Sequence, residues 1–137
     1  QFIFEPIFDN VLIVKNNTGS VYLPEYDFNG IGNLLVGQGY QVKIDSEVSL
    51  ELCGEYAIPE ENQIFISEGW NMIGYLRIEP ASVENIFADM INSGNLIMVK
   101  DYLGSVYLPE YNFNGIGEMQ AGQGYQIKVS ETDILQY

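Results

Sequence analysis

Residues Asn10–Lys43 recur at Asn95–Lys128 with a constant offset of 85, and 22 of the 34 aligned positions are identical. The first stretch contains KNNTGSVYLPEYDFNGIGNLLVGQGYQVK and the second KDYLGSVYLPEYNFNGIGEMQAGQGYQIK. A duplication of this length constrains the fold more than any single motif, because identical turn and strand residues impose the same register twice. The 137 residues divide into residues 1–52, the C-terminal part of one repeat, and 53–137, a complete second repeat. The join Glu55–Asn62 has no flexible Gly/Ser linker, so the copies are expected to pack together. Multiplied units suit structural, adhesive or binding proteins better than enzymes, since a catalytic site needs one unlike constellation.

Within the repeat, hydrophobic periodicity describes strands. Tyr125–Val129 alternates apolar and polar residues, which places Lys128 toward water. Strands are expected at Leu96–Lys100, Ser105–Leu108 and Ile134–Tyr137, with Gly69–Leu76 as a glycine-punctuated apolar segment. The first copy repeats them at Val11–Lys15, Val21–Leu23, Tyr40–Ile44 and Val48–Leu52. Val83, Ile86, Phe87, Met90 and Ile91 form one helical stripe, with Ser82 as N-cap and Gly94 as stop. The first copy keeps at most Phe2–Phe8 of that helix, bounded by Pro6. The fold class is therefore mainly β (α+β): a duplicated antiparallel β module with one short amphipathic helix per repeat.

The formal charge of −14, from 19 acidic and 5 basic residues, repels nucleic acid and anionic lipid and favours cationic or neutral partners. No apolar run approaches the roughly 18 residues of a membrane helix, and no apolar-cored basic leader stands at the front. Gln1 lies within a repeat, which reads as a processed product or an excerpt of a longer polypeptide. With 47% hydrophobic residues the chain can bury a core. Cys53 is the only cysteine, so no internal disulfide forms, and it reads as a small buried hydrophobe.

The absence of histidine excludes Ser-His, Cys-His and His-ligated metal chemistry. The best chemical candidates are two matching loops. Glu25, Asp27, Asn29 and Asn33, and again Glu110, Asn112, Asn114 and Glu118, set oxygen side chains at positions one, three, five and nine around a glycine at six. That is the spacing of a calcium loop, but Val36 and Ala121 stand where its bidentate Glu belongs, leaving an incomplete calcium site or a tight turn at Asn29-Gly30 and Asn114-Gly115. No cofactor is required by these residues. Gly37-Gln38-Gly39-Tyr40 and Gly122-Gln123-Gly124-Tyr125 lack the third glycine and lysine of a phosphate loop and read as turns held by Gln38 and Gln123.

Among ten tyrosines, Tyr22 and Tyr107 alternate with Val and Leu and are expected to be the most exposed, facing a sugar ring or else packing in the core or at an interface. Trp70 joins them as an interface candidate, placed either between the copies or in contact with a neighbouring chain. Lys15, Lys43, Lys100 and Lys128 occupy equivalent positions and are expected to bridge carboxylates, at roughly 0–1 kcal/mol each.

The signals GWNMIGY, SVENIFADM, NLIMVKDYLGSVYLPEYNFNGIG and GQGYQIK resemble tandem repeats of large secreted or cell-surface bacterial proteins. The resemblance covers the second repeat and the back half of the first. It implies an extracellular, non-enzymatic module, and the expected role is a building block of a large extracellular filament, adhesin or surface layer, in contact with itself or with neighbouring repeats of a long chain. The competing expectation is a calcium- or glycan-binding module attached to a secreted enzyme. Neither involves nucleic acid or membrane insertion.

Overall fold

The computed structural model describes residues 2–137 and is mainly β, with antiparallel sheets and a few short helices. The first copy opens with a 3-10 helix, Phe2–Asn10, kinked at Ile7 beside Pro6. It continues through β1 (Val11–Lys15), β2 (Val21–Leu23), β3 (Phe28–Asn29) and β4 (Gln41–Ile44). In the second copy β5 (Ile64–Ile66), β6 (Gly69–Gly74) and β7 (Ala81–Ser82) precede two short helices, α1 (Val83–Ile86) and α2 (Ala88–Asn92). There follow β8 (Leu96–Lys100), β9 (Val106–Leu108), β10 (Phe113–Asn114), β11 (Glu118–Met119), β12 (Gly124–Val129) and β13 (Asp133–Leu135).

The duplicated sequence folds in duplicate register. Val14 lies opposite Tyr22 and Val42, and Val99 lies opposite Tyr107 and Ile127. The irregularity at the start of β1 recurs at the start of β8, where Val11 and Leu96 face Ile44 and Val129. The sheets are ordered β3-β2-β1-β4 and β10-β9-β8-β12-β6. The second gains an outer strand, β6, antiparallel to the whole of β12.

Several further differences between the copies share this origin. Segment 53–82 supplies three strands, β5 to β13, β6 to β12 and β7 to β11, and occurs once among these residues. In the first copy the positions matching β11 and β13, Asn33–Leu34 and Val48–Leu50, consequently form no strand. The expected strand Val48–Leu52 is thus corrected: its residues favour extended structure, but a strand needs a partner for its backbone groups. Ile127 and Val129 are 0% and 1% exposed, whereas Val42 and Ile44 at the same places are 42% and 38% exposed.

The helical stripe packs as expected, with Val83, Phe87 and Met90 buried on the second copy's core. Ser82 Oγ accepts from Glu84 N at 3.2 Å, and Gly94 closes the last turn at φ 74°. The single expected helix is broken at Phe87 (φ −103°, ψ 18°), where the ring is driven into the core. Cys53, expected to be buried, is exposed, because it sits in the irregular stretch 51–58 that no sheet covers. Among the described residues, no helix is long and apolar enough to cross a membrane.

Candidate interaction site

The two matching loops form the same turn. Pro24–Tyr26 and Pro109–Tyr111 are single 3-10 turns, each ended by a residue in the left-handed region, Asp27 (φ 49°) and Asn112 (φ 48°). Asn and Asp tolerate this conformation better than other side chains. Asn29 Oδ1 then accepts from Gly32 N (2.9 Å) and Ile31 N (3.2 Å), and Asn114 Oδ1 accepts from Gly117 N (2.7 Å) and Ile116 N (3.2 Å). The positive φ expected at Asn29-Gly30 and Asn114-Gly115 falls instead two residues either side, at Asp27 and Gly32 and at Asn112 and Gly117. A cation at these loops would compete with two backbone N–H groups for each Asn oxygen. Among the described residues, no three His, Cys, Asp or Glu side chains are grouped to hold a metal ion.

Tyr22 and Tyr107, expected at the surface, are 3% and 5% exposed. The register explains the correction: residues directly opposite share a face, and Tyr22 and Tyr107 lie opposite the fully buried Val14 and Val99. Burial pushes both phenols above their ordinary pKa, with Asp27 adding to it at Tyr22 and Glu84 at Tyr107. The Tyr22 hydroxyl is buried without a hydrogen-bond partner among the described residues. These two rings are core.

Trp70, half exposed on the outer face of β6, lies under Lys128 Nζ at 5.8 Å from the ring centroid. The free edge of its strand meets the first copy. Gly39 N donates to Met72 O (3.1 Å), Gly74 N donates to Gly37 O (2.9 Å), and Met72 N donates to Asn17 Oδ1 (2.7 Å). The strand that completes the second sheet therefore also receives the Gly37-Gln38-Gly39 turn. That approach is backbone on backbone: a Cβ on Gly39 would stand 2.6 Å from Ile73 O. Gln38 and Gln123 hold their turns, each Oε1 accepting at 3.2 Å from the following tyrosine hydroxyl, Tyr40 or Tyr125.

The docking role of Gly39 was not legible in the repeat, because the matching Gly124 meets β6 within its own sheet, whereas Gly39 meets it across the two copies. The readable signal was a difference between copies: Asn17, which reaches β6, aligns with Tyr102, which reaches nothing and is 72% exposed.

Between the copies opens a cleft of about 830 Å³. Its walls include Lys15, Gln41 and Lys43 from the first copy and Lys100, Tyr102 and Gln126 from the second. The expected lysine–carboxylate bridges are not formed. Among the described residues the one ion pair is Arg77 to Glu60, at 3.1 Å on the surface. Even where a carboxylate stands close in sequence, as Asp101 beside Lys100, an exposed pair gains too little to draw long side chains together.

No protein-family model, curated protein or solved structure matches this chain.

Proposed function

We propose that this chain is a non-catalytic repeat module of a large extracellular filament, adhesin or surface structure, joined to further repeats through the inner face of its first sheet. The observation that carries the reading is the contrast between Val42 and Ile44, 42% and 38% exposed, and their counterparts Ile127 and Val129, at 0% and 1%. The same positions in the same register are core in one copy and surface in the other. β4 also has an unoccupied outer edge where β12 carries β6. A sheet with an open edge and an apolar face beside it accepts a strand from a neighbour. Head-to-tail contacts whose rotation does not close a ring propagate as an array.

The test compares the chain with a version whose first copy is completed by a second copy of residues 53–85 placed before Gln1. Light scattering and electron microscopy should show concentration-dependent association of the chain, reduced by Val42→Lys with Ile44→Lys and by the added segment. A chain that stays monomeric at high concentration, with these two residues still exposed, would refute association through this face.

A further inference from the structure

We infer that the cleft between the copies is a binding site for a short anionic carbohydrate, a uronic-acid oligosaccharide of a few units, held by lysines of both copies. The lysines lie on the outer face of the sheets, opposite the core side that Val42 and Ile44 face, although β4, Val42 included, also borders the cleft. The register fixes that placement. Lys15 lies opposite Gln41, Ile13 opposite Lys43 and Lys100 opposite Gln126, out of phase with the core pairs Val14–Val42 and Val99–Ile127.

The charge distribution is the first argument. Three of the chain's five basic residues, Lys15, Lys43 and Lys100, line one cleft, while only Asp101 of its 19 acidic residues does so. The Asp101 carboxylate is committed to the turn, its Oδ1 accepting from Ser105 N at 2.7 Å. None of the three ammonium groups has a carboxylate partner among the described residues. The cleft is thus a local reversal of sign in a chain of net charge −14.

That same net charge limits the ligand's length. Charges screen one another over about 8 Å at physiological salt. An anion contained in the cleft feels mainly the lysines, whereas a long polyanion would run onto the acidic surface and be repelled. Lysines act as separate point charges and suit carboxylates spaced along a chain; the paired geometry of phosphate recognition favours Arg.

Sugar is favoured over peptide by what stands between the lysines. Tyr102 lines the cleft with its ring 72% exposed, a flat surface for a pyranose face. Gln41 and Gln126 offer amide donors and acceptors for hydroxyl groups. Because one wall comes from each copy, a single repeat would hold only part of the site.

Titration calorimetry of the full chain with a tetra-uronate, its neutral methyl ester and tetraglutamate tests the assignment. The uronate should bind, more weakly as salt rises. The ester should bind at least roughly tenfold more weakly, as should the uronate to the Lys15→Gln, Lys43→Gln, Lys100→Gln triple variant. Tyr102→Ala should weaken the uronate, and Lys128→Gln should leave it unchanged. Circular dichroism checks that the variants fold; should the triple variant not fold, the acid and ester compared on the unaltered chain still decide. No uronate binding at millimolar concentration, equal binding of acid and ester, or undiminished binding by a folded triple variant would overturn the site. Tighter binding of tetraglutamate would overturn the sugar assignment in favour of an acidic peptide.

Discussion

Gly39 and Gly124 occupy the same place in the repeated GQGY motif, yet the structure assigns them opposite responses to one methyl group. A Cβ at Gly39 would lie 2.6 Å from Ile73 O and 2.9 Å from Ile73 N and C, distances that only backbone displacement relieves. Displacement would break the contact of the first copy with β6, made by Gly39 N to Met72 O, Gly74 N to Gly37 O and Met72 N to Asn17 Oδ1. Three hydrogen bonds at roughly 0.5–1.5 kcal/mol each set the scale, so Gly39→Ala should cost about 1.5–4.5 kcal/mol. At Gly124 the nearest atom to a new Cβ is Ile73 O at 3.5 Å, an ordinary contact. Gly124→Ala should therefore range from neutral to a gain of up to about 1 kcal/mol, from reduced freedom of the unfolded chain. Urea denaturation measures both, and amide exchange at Gly74, whose N–H donates to Gly37 O, reports the contact between copies directly. Equal costs for the two variants, or a Gly74 amide still protected in Gly39→Ala, would refute the reasoning.

Two further outcomes follow from burial. Ile127→Ala should cost about 2–5 kcal/mol by opening a cavity, while Val42→Ala, at a site 42% exposed, should cost below about 1 kcal/mol in dilute solution; denaturant midpoints compare them. The Tyr137 hydroxyl donates to Gly74 O at 2.8 Å, and burial raises its pKa far above the ordinary tyrosine value, with Tyr75 adding to the shift. The folded state holds this proton more tightly than the unfolded state, so the associated stability is complete below about pH 10 and is lost as pH rises through the folded pKa. Thermal melts between pH 8 and 12 should show that decline, flattened in Tyr137→Phe.

The sequence alone determined what short-range rules control. Offset identity established that one register is used twice, period-two alternation placed Ile127 and Lys128 on opposite faces, and Ser82 and Gly94 bounded the helical region. Tertiary structure decided whatever depended on a distant partner. Val48–Leu50 stands at the position of Asp133–Leu135 in the repeat, yet only the latter finds β5 and becomes a strand. Tyr22 was placed inside by Val14 across the sheet, against an alternation that could be read with either face inward. Gly39 and Gly124 are one residue in one motif and both border β6, yet the Ile73 backbone leaves room for a Cβ only at the second. The cleft likewise required both copies to meet, since a repeat shows that two lysines are equivalent but not that lysines from separate copies share a wall. Local pattern fixes conformation and facing within a strand, whereas burial, pairing and shared sites are properties of which surfaces meet, and these were set by a segment that occurs once beside a pattern that occurs twice.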